Sequence, residues 1–247
     1  MSNFIHISSE ALTSGDSNDF TIKFTNPIEN VRVMKISSVV VPVAWYTVEE
    51  GINDRIYFNA GSTDYTATLT GGQVYTASTL LAEVQTQMNS AYTPDNNFTV
   101  TLSSTTNKYT ITHSSTNFSL TFATNTSRSA RILLGFSETD TTAATSQTGD
   151  GMFNLGYKET IFVLSNKLAN GNGYVNNKKT SNVIFPLICD ESFGSYMSYT
   201  GEDNGWVIKY SPSRSFSEMD FKLTFSDCST KVPLNGLHWS MNLQFLH

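Results

Sequence analysis

Hydrophobic and polar positions alternate along most of this chain, and a sustained helical spacing interrupts them only once. Phe20, Ile22 and Phe24 alternate with polar residues, which predicts a half-buried strand ended by Asn26-Pro27. A longer run follows, from Val31 through Val33 and Ile36 to Val39-Val40-Val41, closed by Pro42, with Trp45 and Tyr46 just beyond. Ile56 and Phe58 predict a short third strand over 55–59. After Gly61 the pattern changes. A brief strand over 65–69 and a Gly71-Gly72 turn lead to Thr76, placed as a helix N-cap. Leu80, Leu81, Val84, Met88 and Ala91 then fall on one helical face, and Pro94-Asp95 stops the helix. Three alternating strands come next, carried by Phe98, Val100 and Leu102, by Tyr109 and Ile111, and by Phe118, Leu120 and Phe122, with Asn107 and Asn117 in the turns. Ser127 is placed as the cap of a short second helix through Ile132-Leu133-Leu134, with Gly135 as its stop and Phe136 packing back on it.

Residues 138–158 are polar, Thr-rich and punctuated by glycine, and read as a long connecting loop. Strands resume over 160–164, 183–188, 206–210, 221–225 and 239–245. The last is a clean alternation of Trp239, Met241, Leu243 and Phe245. Turn-rich loops separate them, notably Asn170-Gly171-Asn172-Gly173 and Gly201-Glu202-Asp203-Asn204-Gly205. Setting the 61–137 block aside leaves eight strands, three before it and five after, which is the count of a jelly roll. Nothing alternates as βαβ units. The predicted fold is therefore all-β: a single jelly-roll β-sandwich, residues 1–60 and 159–247, with a small inserted α+β domain at 61–137.

Composition sharpens this picture. The chain has 247 residues, enough for a substantial core, and 16 Phe with 11 Tyr to fill it. Charged residues make up 15%, against about 25% in ordinary domains. Between 61 and 127 the only formal charges are Asp64, Glu83, Asp95 and Lys108. The net charge is −6 and Lys178-Lys179 is the only basic pair, which argues against direct nucleic-acid binding. No apolar run is long enough for a membrane helix, and the N-terminus carries no secretory-signal pattern. The Asn-x-Ser/Thr sequons at Asn97, Asn117 and Asn125 are what a Ser/Thr-rich stretch gives by chance. Cys189 and Cys228 are too few for a disulfide framework; they either pair across neighbouring strands or stay free thiols, and free thiols are the simpler reading.

Catalytic patterns are missing. His6, His113, His238 and His247 stand in no metal-ligand spacing, and His113 continues the inward phase of Tyr109 and Ile111. There is no nucleophile elbow, and Gly149-Asp150-Gly151 lacks the strand–turn–helix of a phosphate loop. Glu49-Glu50 and Glu202-Asp203 are acidic pairs of the kind a glycoside hydrolase uses, and Asp190-Glu191 with Glu202-Asp203 could offer oxygens to calcium. Adjacent in sequence on turns, such acids are more simply solvated loop charges. Trp45, Tyr46, Tyr196 and Tyr199, with Trp206, are candidate ligand or interface aromatics, the alternative being that they belong to the core or a subunit interface. The expectation is a non-enzyme without cofactor or metal.

The order of parts adds a resemblance. Ser14-Gly15-Asp16-Ser17-Asn18-Asp19-Phe20-Thr21-Ile22 opens a strand, and Val39-Val40-Val41-Pro42-Val43-Ala44-Trp45-Tyr46 closes the next. Gly72-Gln73-Val74-Tyr75-Thr76 enters the helix, and Ile132-Leu133-Leu134-Gly135-Phe136 closes the insert. Phe221-Lys222-Leu223-Thr224-Phe225-Ser226-Asp227 and Leu234-Asn235-Gly236-Leu237-His238-Trp239 end the chain. Over roughly residues 10 to 246 this series resembles the penton, or minor capsid, proteins of virophages and polinton-like double-stranded DNA viruses. The resemblance implies a jelly roll standing upright in an icosahedral capsid, five copies closing each vertex, an insert projecting outward, and no catalytic residues. It implies a homopentamer in contact with the major capsid protein, made in the host cytoplasm and resident in the virion. The rival readings are a carbohydrate- or host-receptor-binding sandwich, such as a fibre head or lectin-like module, and a β-sandwich hydrolase. The first can coexist with a vertex role, since the insert would be placed to touch a host receptor or glycan.

Overall fold

Alternation sets the strands of this protein, and bulges set how far each one runs. The structure is a computed structural model that describes residues 2–155, 160–170, 174–176, 179–201 and 205–247. In chain order its elements are β1 (Ser2–Ser8), β2 (Ser14–Asp16), β3 (Asp19–Pro42), β4 (Arg55–Ala60), β5 (Thr63–Thr68), α1 (Ala77–Ala91), β6 (Phe98–Leu102), β7 (Tyr109–His113), β8 (Phe118–Leu120), α2 (Arg131–Leu134), β9 (Ser146–Thr148), β10 (Thr160–Leu164), β11 (Tyr174–Asn176), β12 (Lys179–Ser181), β13 (Val183–Ile188), β14 (Tyr196–Thr200), β15 (Trp206–Phe225) and β16 (Ser240–Leu246). The chain divides into two compact units, Met1–Trp45 with Lys158–His247, and Tyr46–Tyr157.

In the first unit, β3 is unbroken from Asp19 to Pro42, so Asn26-Pro27 does not end it. β15 pairs with both ends of β3, with register shifts at Lys209/Arg214, Arg214/Phe216 and Phe216/Glu218 between them. Pro27 and Pro212 fall within these slips, where the ladder asks for no amide hydrogen. Extra residues bend a strand, and each long strand leaves one sheet there and enters another. The first sheet runs β1, β16, the second half of β3, then β14 with the start of β15. The second runs from the first half of β3, flanked by β2, to the end of β15, β10 and β13. Every pairing is antiparallel.

Inward residues of both sheets form one core, with Met34, Ile36, Val39, Met197, Leu243 and Phe245 from the first and Phe20, Ile161, Val163, Phe185, Met219 and Phe221 from the second. Two sheets facing each other with this strand order make a jelly roll. Trp239 stands beside Phe20, with ring centroids 5.8 Å apart, and its indole N–H donates to the Ser17 carbonyl at 2.8 Å. Ile36 and Val39 both face inward although they are an odd number of residues apart. Ser37 is the reason: pairing with β16 steps from Asn242↔Ser38 to Leu243↔Ile36, leaving Ser37 as the extra residue of a bulge. Gly201 N–H donates to its carbonyl at 2.8 Å.

The unit boundary differs from the predicted 60/61. β4, expected as an outer strand, pairs with β5 and β8 and buries Ile56 and Phe58 in the core of the second unit. The jelly roll takes β1 in its place; of that strand only Ile7 is buried among the described side chains. Alternation reports that one side of a strand is covered, but not by which sheet.

The second unit holds two three-stranded sheets, β5-β4-β8 and β6-β7-β9, and α1, around one core. Thr76 caps α1 reciprocally with Thr79, whose hydroxyl accepts from the Thr76 N–H at 2.8 Å. Leu80, Val84 and Met88 are the buried stripe. α2 begins after Ala130 with no side-chain cap, so Ser127 is not its N-cap; the Ser127 carbonyl accepts from the Tyr57 hydroxyl at 2.9 Å instead. Gly135 ends α2 in the left-handed conformation, φ 75°, and a Cβ there would lie 2.5 Å from the carbonyls of Gly151 and Met152. Those carbonyls belong to the stretch predicted as a connecting loop at 138–158, and most of that stretch belongs to this unit. β9 pairs with β7, and buried Gln147 donates to the carbonyls of Phe118 and Thr142 at 2.7 and 2.8 Å. Hydrophobic periodicity misses such a segment because an amide, not an apolar side chain, is what it turns inward.

Candidate functional site

Acidic side chains in the described residues mostly hold backbone in place. Glu49 is buried; its carboxylate accepts from the Tyr46 N–H at 2.6 Å, while its own N–H donates to Asn53 at 2.7 Å. Asp54 is buried too, accepts from the Gly51 N–H at 3.0 Å, and forms a bidentate pair with Arg128. Burial alone would raise the Asp54 carboxyl, but the Arg128 hydrogen bond and the Gly51 N–H outweigh it and hold it below the usual carboxylate range. Together these groups fix the 46–54 loop. Glu49 and Glu50 are thus split, one buried in hydrogen bonds and one exposed. Glu202 and Asp203 lie outside the described residues, as do Asn204, Gly171, Asn172, Gly173 and Lys178.

His113 is buried, and its Nε2 lies 2.8 Å from Asp95. Its Nδ1 accepts from the N–H groups of Ser115 and Thr116 at 3.2 and 2.9 Å, so the ring is a neutral tautomer donating through Nε2. Tyr92 and Phe98 meet the same ring edge-on, at 5.3 and 4.7 Å between centroids. This histidine closes a turn inside an aromatic core and presents no free nitrogen. No group of three or more His, Cys, Asp or Glu side chains among the described residues could hold a metal ion. Cys189 and Cys228 form no disulfide and are half-buried; burial, with Asp190 and Glu191 nearby, pushes the Cys189 thiol up, which makes it a poor nucleophile. No described helix is long and apolar enough to cross a membrane.

The candidate aromatics do not form one platform. Trp45 is half-buried, edge-on to Phe225 at 5.6 Å. Tyr199 packs on Phe185 at 4.7 Å, and its hydroxyl accepts from the Trp206 N–H at 3.2 Å. Trp206 itself stands edge-on to Phe185 at 5.7 Å. Tyr46 falls in the second unit. Only Tyr196 of the four stands well out in solvent, 58% exposed, on strand β14.

Phe4 on β1 is an exposed aromatic that the alternation does not single out, 69% exposed. Like Tyr196 it lies on an edge strand of the first sheet. Both strands lack Lys, Arg, Asp, Glu and Pro, and that composition is the signal available in the sequence.

No family model matches the chain, and no curated protein matches it in sequence. Solved structures do match. A chain in the 3.5 Å cryo-EM structure of the Sputnik virophage gives a TM-score of 0.45 at 11% identity, with 99% of this chain and 97% of that one covered. The crystal structure of the selenomethionine-labelled mavirus penton protein gives a TM-score of 0.50 at 11% identity, with 99% of each chain covered. From end to end, the fold of this chain is therefore similar to that of the mavirus penton protein.

Proposed function

We propose that this chain is a structural virion protein: a penton subunit, five copies of which close each vertex of an icosahedral capsid against the surrounding major capsid subunits. The observation that carries the reading is the likeness in fold to the mavirus penton protein over 99% of both chains, which takes in the jelly roll and the unit set between its strands. The side chains support it by what they are used for. Buried Glu49 and Asp54 and buried His113 are spent on holding loops and turns in place. Low charge, 15% of residues, also suits a protein that buries much of its surface against neighbours, since desolvating charge is costly. Native mass measurement of the purified protein tests the reading, together with the composition of disrupted particles. Five-membered assemblies and a constant place in the particle are expected. A chain that stays monomeric at every concentration and never accompanies capsids overturns it.

A further inference from the structure

We propose that copies of this chain join edge to edge through the first jelly-roll sheet, the outer edge of β1 in one copy pairing antiparallel with the outer edge of β14 in the next. The inference rests on the ring reading above and names its joint. Among the described residues β1 pairs only with β16, and β14 only with β3. Among the described residues each therefore leaves one side of its backbone open. The Ser9 N–H donates to the Trp239 carbonyl at 3.0 Å, which fixes the alternation of the β1 ladder. Ile5 and Ile7 turn their backbone groups toward β16, while those of Phe4, His6 and Ser8 point outward. On β14, the Val43 N–H donates to the Ser195 carbonyl at 2.9 Å and the Gly201 N–H to the Ser37 carbonyl at 2.8 Å. By the same alternation Tyr196, Ser198 and Thr200 point outward. With Ser2, the outward positions number four on β1 against three on β14, and across β16 and β3 the two edges share a level where His6 and Ser8 stand opposite Thr200 and Ser198.

Their composition singles them out. Soluble proteins protect sheet edges with charge, proline, bulges or very short strands. The second sheet follows that rule: β13 carries Pro186, and the first half of β3 is covered by the short β2, which ends in Asp16. In the first sheet neither Ser2–Ser8 nor Tyr196–Thr200 contains a charged residue or a proline, and the charge on the β14 side, Lys209, sits beyond β14 on the start of β15. Both edges also carry an exposed aromatic, Phe4 and Tyr196, at 69% and 58% exposure. Direction decides the occupant. Along β1, β16, β3 and β14 each neighbour is antiparallel, so β1 and β14 run in opposite senses. A rotation about an axis along the strands leaves those senses unchanged, so the β1 of a second copy meets β14 antiparallel. The contact is heterologous, the kind from which cyclic rings are built.

Proline at an outward-facing position removes only an unpaired N–H and should leave the fold intact. Phe4→Pro and Ser198→Pro are each expected to give folded monomers by circular dichroism and sedimentation. Mixing the two should give a one-to-one dimer that grows no further, because each variant keeps one good edge. Phe4→Lys and Tyr196→Lys change side chains alone, and are expected to abolish the ring in the same way should a proline variant fail to fold. Proline and lysine variants that still form wild-type rings overturn the joint and leave the ring reading standing. A wild-type chain that stays monomeric overturns both.

Discussion

Asp54 illustrates how much of this protein's charge works on its own backbone. It accepts from the Gly51 N–H and pairs with Arg128, and these hydrogen bonds outweigh the upward push of burial on its carboxyl. Three other carboxylates of the second unit are lowered as well. Thr124 holds Asp140 down, Ser137 holds Asp150 down, and at Asp95 the opposing push of burial is outweighed by the hydrogen bond to His113. A carboxyl whose folded pKa lies below its unfolded value stabilises the fold fully at pH values above the unfolded one, about 3.9 for Asp. That contribution is lost as pH falls through the folded value, because the unfolded chain then binds more protons. The second unit is therefore expected to lose stability as pH falls below about 4. Asp54→Asn tests which group carries the slope. Thermal melts across an acid series should show a lower midpoint at neutral pH and a shallower acid limb than wild type. An equal drop at every pH would contradict the assignment.

At the scale of elements, α1 stands on two separable contributions. The Thr76–Thr79 box satisfies backbone donors at its first turn, and Leu80, Val84 and Met88 anchor it in the core. Thr76→Ala should cost about 1 kcal/mol, within a range of roughly 0.5–2. Leu80→Ala removes a fully buried side chain and should cost about 2–5 kcal/mol. Denaturant titration of both variants ranks them, and a cap variant as damaging as the core variant would overturn this division. The helix was legible in the sequence because its start, stripe and stop are all local. So were β6, β7 and the alternation of β16, each of which turns apolar side chains inward at every second residue. The unit boundary was not legible, because Ile56 and Phe58 alternate in the same way whichever sheet accepts them. β9 was hidden because Gln147 is its only buried residue. The bends of β3 and β15 were hidden because a bulge resets the phase that periodicity depends on. Of the candidate aromatics the sequence offered Trp45 and Tyr199 on equal terms with Tyr196, since exposure depends on partners such as Phe225 and Phe185 that are distant along the chain. The open edges lay in plain view as two uncharged, proline-free segments, but only strand pairing reveals that they are edges.

At the scale of the whole molecule, no buried residue among those described belongs to both cores, one built around Trp239, Phe20 and Phe221 and the other around Phe58, Phe98 and Phe118. Units with separate cores need not unfold together, and a chain of two such units departs from a single two-state transition. The proposed joint between copies lies wholly in the jelly roll, on β1 and β14. Association that favours the native form raises stability with concentration by RT ln(1 + [L]/Kd), about 2.7 kcal/mol when the free partner is at 100 times the dissociation constant. Calorimetry over a range of protein concentrations should accordingly resolve two transitions, of which the jelly-roll transition moves upward with concentration while that of residues 46–157 stays put. Leu80→Ala identifies the second transition by lowering it alone. Ser198→Pro should leave both transitions present and remove the concentration dependence of the first. If the transition lowered by Leu80→Ala were the one that climbed with concentration, the contact between copies would lie in the 46–157 unit, and the open edges of the first sheet would need another occupant.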